Sequence, residues 1–189
     1  MNEDLDEDDG WPRELRFLLE RHPRSMWPLA TSPTVSFWLE VHDRLRHACD
    51  GLERASDDYR AGRLTAAQLA VVAAPRLRGL LAAVFGHHQI EDQQYFPAFR
   101  RQEARLAAGF DRLEHEHAEL SLQVNAAGKA LGELRVAAER SADSQNASTQ
   151  KVAAERYVAE THDLCERLRQ HLRAEEDLVV PLLLEYVEH

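Results

Sequence analysis

Four stretches of this chain repeat apolar side chains in steps of three and four, and ionisable residues interrupt every one of them. The first stripe reads Trp38, His42, Leu45, Cys49, Leu52, and the second Leu77, Leu80, Val84, His87, Glu91. The third reads Phe110, Leu113, His117, Leu120, Val124, and the fourth Leu164, Leu168, His171, Glu175, Leu178, Leu182. This spacing puts each set on one helix face. Four long amphipathic helices with short connections are expected to close as an all-α, up-down-up-down four-helix bundle with a short N-terminal helix. No stretch alternates with period two for long enough to suggest a sheet.

The stripes set a problem in energetics. Burying charged groups unpaired costs several kcal/mol each, against a domain stability of roughly 5–15 kcal/mol. Something must neutralise His42, His87, Glu91, His117, His171 and Glu175, and a pair of metal ions does so most simply.

With 189 residues the chain is long enough for one domain with a proper core. A net charge of −10 argues against nucleic acid as a partner. No run of about 18 apolar residues is evident, so no membrane span is expected. The N-terminus lacks the basic and apolar segments of a signal peptide, which makes a cytoplasmic location the expectation. Residues 1–10 form a like-charge run expected to be a disordered acidic tail. Cys49 and Cys165 do not make a disulfide framework.

Residues 11–32 read as a short helix ended by Pro23, then a loop too broken by proline to be helical. The bundle occupies 33–189. Its first helix, about 33–60, is capped by Thr31 or Ser32 and stops near Gly62. Thr65 and Gln68 make a capping box for the next. Pro75 predicts a kink or break before that helix's main segment, about 75–100. A third helix runs near 103–140, the turn formers of "SADSQNAST" break the pattern, and a fourth covers about 149–187.

The chain also repeats itself. "HHQIEDQQYFP" aligns with "HLRAEEDLVVP", laying His87 on His171, Glu91 on Glu175, Asp92 on Glu176 and Pro97 on Pro181. "HDRL" matches "HAEL", laying His42 on His117. A duplicated helix pair implies a pseudo-twofold site with equal ligands from each half. His87–Glu91 and His171–Glu175 are i, i+4 pairs that project together. The expected assignment gives two histidines to each metal, with Glu91 and Glu175 spanning both ions about 3.5–4 Å apart. Mixed imidazole and carboxylate ligation suits iron, with manganese or zinc possible.

Those segments resemble the hemerythrin-like (HHE cation-binding) family over roughly residues 33–187. "HHQIEDQQYFP" and "HLRAEEDLVVP" are similar to its two signature stretches, and "EHAEL" to its third-helix segment. The resemblance implies two non-haem iron ions, oxo- or hydroxo-bridged, held by His42, His87, Glu91, His117, His171 and Glu175. It also implies a small ligand: O2, or a relative such as NO or peroxide, bound for sensing, storage or stress defence. The oxygen carriers place a second histidine four residues from the third-helix one, where this chain has Leu113 and Ser121. They also put the fourth-helix carboxylate five residues after its histidine, the place of Glu176. Four histidines and two glutamates look closer to the di-iron proteins that repair iron centres, although this chain lacks their cysteine-bearing N-terminal domain. A di-iron enzyme or repair protein therefore stands as an alternative, and a metal-free structural bundle as another.

The remaining polar residues draw plainer expectations. His88 and Asp92 read as solvated flank or as partners behind the ligands. His115 reads as surface, Glu114 lies beside the stripe, and His47, His22, His162 and His189 show no partner pattern. Cys49 reads as a buried small hydrophobe. Tyr95 and Tyr157 read as packing residues able to reach a ligand carboxylate. Pro97 and Pro181 are expected to bend the helix ends below the metals.

Overall fold

The computed structural model describes residues 10–29, 32–139 and 144–186, and among these no strand occurs. The proposed acidic tail, apart from Gly10, and the candidate cap Thr31 lie outside the described residues.

Six α-helices follow in order: α1 Phe17–Arg21, α2 Pro33–Arg60, α3 Ala66–Ile90, α4 Phe96–Gln102, α5 Ala107–Glu139 and α6 Ser144–Tyr186. Ser32 caps α2, its hydroxyl accepting from Val35 N at 3.2 Å, and Pro33 follows in the first turn. Gly62, with φ 71°, turns the chain out of α2 through the left-handed region open to glycine. The Thr65–Gln68 capping box opens α3.

Helices α2 and α3 pack together, as do α3 and α5, α5 and α6, and α6 and α2, which closes a four-helix ring. Two apolar clusters fill it. One holds Leu45, Val84, Leu120, Leu168 and Leu172, and the other Trp38, Phe96, Leu113 and Leu178. Along α2 the chain passes from the second cluster to the first, along α3 back, along α5 forward and along α6 back. The up-down-up-down order follows, and a polar layer lies between the clusters on every helix.

Several boundaries differ from expectation. Pro75 does not break its helix: α3 runs on through it. Both Pro75 and Val71, whose carbonyl loses its donor, lie on the exposed face, where water satisfies that oxygen. The fourth helix begins by Ser144, because Ser, Gln and Asn serve a helix start as readily as a turn. The N-terminal helix divides at Arg16 into a 3-10 turn, Arg13–Leu15, and α1. The presumed loop contains a 3-10 turn, Arg24–Leu29, whose backbone angles accommodate Pro28.

The stretch Ala66–Gln102 contains a window of mean hydropathy 1.6, apolar and long enough to cross a membrane by length and composition, which sequence reading had not expected. Its buried Leu69, Ala73, Leu77 and Leu80 pack within the bundle, the composition of a core helix. Gly109 marks a close helix approach: a Cβ there would meet Leu178 Cδ2 at 2.8 Å.

Candidate metal centre

Beyond Glu91 the second stripe changes phase before its apolar face resumes. Between α3 and α4, Glu91–Tyr95 forms a π-turn in which Phe96 N donates to Glu91 O, five residues back. The extra residue lets Phe96, not Tyr95, resume the apolar face: Phe96 is fully buried and Tyr95 is 36% exposed. Such single π-turns frequently occur at functional sites.

All six predicted residues meet in the polar layer, and a seventh joins them. His42, His87, Glu91 and Glu175 bring ligand atoms within 4.8 Å of one another, and so do His88, His117 and His171. The carboxylates lie between the two histidine groups. Glu91 Oε1 is 3.1 Å from His87 Nε2, while its Oε2 is 3.7 Å from His117 Nε2. Glu175 Oε1 is 3.3 Å from His42 Nε2, and its Oε2 is 3.6 Å from His171 Nε2.

His88 corrects the expectation of a solvated flank or outlying partner. It is only 6% exposed and stacks on His117, ring centroids 3.8 Å apart and 5° from parallel. The steps Val84, His88, Glu91 are as helical as Val84, His87, Glu91, so the face holds both histidines. Equal donor sets from the two halves, implied by the internal repeat, therefore give way to three imidazoles against two.

Outer carboxylates orient three rings. His42 Nδ1 donates to Glu176 at 3.0 Å, His117 Nδ1 to Asp92 at 2.8 Å and His171 Nδ1 to Glu116 at 3.0 Å. A carboxylate only accepts, so each bond fixes the proton on Nδ1 and turns the Nε2 lone pair inward. Asp92 thus stands behind a donor, and so does Glu176, the alternative to Glu175. Arg46 and Arg24 hold Glu176 from outside, at 2.5 and 3.1 Å. Trp38 Nε1 donates to Glu175 Oε1 at 2.8 Å. Arg24 belongs to the N-terminal segment, which also bonds Asp177 and the Arg173 carbonyl. Sequence reading had given that segment no part in the site.

The donor atoms are short of partners. Among the described residues, Nε2 of His42, His87 and His88, both oxygens of Glu91 and Oε2 of Glu175 are buried without a hydrogen bond. His117 Nε2 faces His171 Nε2 at 3.0 Å although both rings already carry their proton on Nδ1. Two lone pairs so close repel unless a cation lies between them. Buried acceptors left unpaired are costly, and this donor set fits metal ions.

The electrostatics are divided. Burial works against the charge on His42, but Glu175 and Glu176 outweigh it and push its pKa up to about 9. Burial drives His87 and His117 down to about 4 and His88 to about 2, with neighbouring imidazoles adding to the effect. Burial, then the adjacent Glu175, raises Glu91 well above the usual carboxylate range. Burial also opposes ionisation of Glu175, but the charge of His42 prevails and lowers its pKa. Without a cation, one carboxyl and most imidazoles are held neutral.

Other candidates stay outside. Glu114 pairs with Arg100 at 2.8 Å, and the His115 side chain is 76% exposed beside Glu119. Tyr95 packs edge-on against Trp38, Tyr157 is buried in the first apolar cluster, and Cys49 and Cys165 are buried free thiols.

Fold and polar layer together have the form of a helical-bundle protein for binding cations. The family model "Hemerythrin HHE cation binding domain" matches residues 34–183, and the chain belongs to that family. It is a metal-binding, hemerythrin-like protein. Neither the comparison with curated proteins nor that with solved structures gave a match.

Proposed function

We propose that this protein holds two iron ions and binds O2 or a related small molecule, NO or peroxide, at that centre. The observation that carries the reading is the position of Glu91 and Glu175. Each carboxylate has one oxygen toward His42 or His87 and the other toward His117 or His171. That arrangement suits two ions sharing both carboxylates, with His42 and His87 on one and His88, His117 and His171 on the other. When bound, a ferrous pair would supply two electrons and an open coordination position for a small ligand. Manganese would also suit the same donors, and zinc would occupy them without supplying electrons.

The chain's own residues do the rest. Glu176, Asp92 and Glu116 keep protons on the outer nitrogens, so that the inner ones remain free to ligate. Trp38 fixes one oxygen of Glu175. The apolar clusters on either side shield the donor layer along the bundle and strengthen the electrostatic contacts within it.

The alternative of a di-iron enzyme or iron-centre repair protein rests on a four-histidine set, and a fifth imidazole, His88, close to His117 and His171 weighs against it. A metal-free structural bundle would leave six buried polar atoms unpaired.

The test is anaerobic loading with ferrous iron followed by exposure to O2. Binding of about two irons per chain, with an optical change on exposure, is expected of a paired site. A single tightly held zinc and no optical response would overturn the reading.

A further inference from the structure

Among the described residues, cavities of three different chemistries border the polar layer. One, of about 150 Å³, is bordered by Arg112, Glu116, Glu119 and Arg167. Another, of about 400 Å³, is bordered by Asp92, Glu114 and His117. The third, of about 270 Å³, runs between α2 and α3, walled by Phe37, Val41, Ile90 and Tyr95 and floored by His87 and Glu91. Of Asp, Glu, Lys and Arg it is lined by Glu91 alone, which burial and Glu175 hold neutral in the absence of a cation.

We propose that this α2–α3 groove is the entry route and holding site for a small uncharged, apolar ligand on its way to the centre. The inference rests on the di-iron reading and adds where the ligand enters and what admits it. Phe37 and Ile90, 55% and 46% exposed, present apolar surface at the mouth. At the inner end His87, with 11% of its side chain exposed, is the most exposed of the seven donors, and both oxygens of Glu91 lack hydrogen-bond partners. The indole N–H of Trp38, in the wall, is already committed to Glu175. A hydrated anion entering here gives up water for nothing, whereas a neutral diatomic gives up almost none. Arg112, Glu116, Glu119 and Arg167 ring the first opening, and Asp92 and Glu114 stand beside Leu81, Val84 and Phe85 in the second, so both offer charges that hold water and ions.

Gly86 keeps the passage open. It borders the groove, and a Cβ built on it meets nothing within 4 Å. A larger residue there fills space without displacing a neighbour, in a helix where glycine is a poor former. Gly86→Leu therefore closes the route while leaving the donors in place. Ala118→Leu plugs the opening beside Asp92 and His117 in the same way.

Two measurements test the proposal. In crystals of the metal-free protein under xenon pressure, xenon is expected between Phe37, Ile90 and Tyr95, and is expected to be absent from Gly86→Leu. With ferrous-loaded protein in stopped flow, Gly86→Leu is expected to bind NO about tenfold more slowly. Its metal content should equal wild type, and Ala118→Leu should bind NO at the wild-type rate. An empty groove under xenon, an unchanged rate in Gly86→Leu, or slowing by Ala118→Leu instead would overturn it. Failure of the wild type to load iron would defeat the di-iron reading alone, since the xenon result does not depend on metal.

Discussion

His88 lies flat against His117, their ring centroids 3.8 Å apart, although the two side chains come from different helices, α3 and α5. The stack carries His88 Nε2 to the side of the layer where His117 and His171 converge. One half of the site thereby gains a third imidazole that the internal repeat does not supply.

That relationship makes His88 a test of the unequal donor sets. His88→Ala is expected to lower metal content from two ions toward one, by elemental analysis of protein loaded under identical conditions. His115→Ala, with its exposed side chain, is expected to change nothing.

Glu176 reaches the metals only through His42. Glu176→Ala frees the Nδ1 proton of His42 and leaves the ring without its orienting partner, so metal affinity is expected to fall about 10–100-fold. Competition with a chromophoric chelator measures it. Arg24→Ala, which loosens Glu176 at second hand, is expected to shift affinity the same way by a smaller factor.

The metal-free protein is expected to be most stable near pH 6.5. Between 6.5 and about 9 the folded chain keeps a proton on His42 that the unfolded chain releases, so stability falls as pH rises through that window. Below 6.5 the unfolded chain takes up protons that His87 and His117, depressed to about 4, refuse when folded, so stability falls again toward pH 4. Urea midpoints across pH 4–9 should trace a maximum; a monotonic profile would contradict the assigned shifts.

Gly109→Val forces a side chain onto Leu178 where α5 packs closely on α6. Overpacking of this kind costs about 1–3 kcal/mol, and thermal unfolding is expected to show a lowered midpoint.

Much of this architecture was legible in the residues. The stripes through His42, His87, His117 and His171 encode four helices and one polar level, because helical period and burial act locally. Ser32 and the Thr65–Gln68 pair declare helix starts for the same reason. His88 was not legible: two histidines in succession fit the same face, and only packing against α5 shows that both lie in the polar layer. The π-turn at Glu91–Tyr95 was hidden because it shifts the very period used to read the stripe. Pro75 misled because an exposed helix face tolerates the lost donor. Arg24 lies 152 residues from Glu176, and no local pattern announces a contact of that range.

The most direct test of the paired centre is iron stoichiometry with Mössbauer spectroscopy on protein loaded anaerobically with ferrous iron. The expected result is about two irons per chain in two unequal environments, reduced in both Glu91→Ala and Glu175→Ala. One iron per chain, or two that survive loss of either glutamate, would contradict the account.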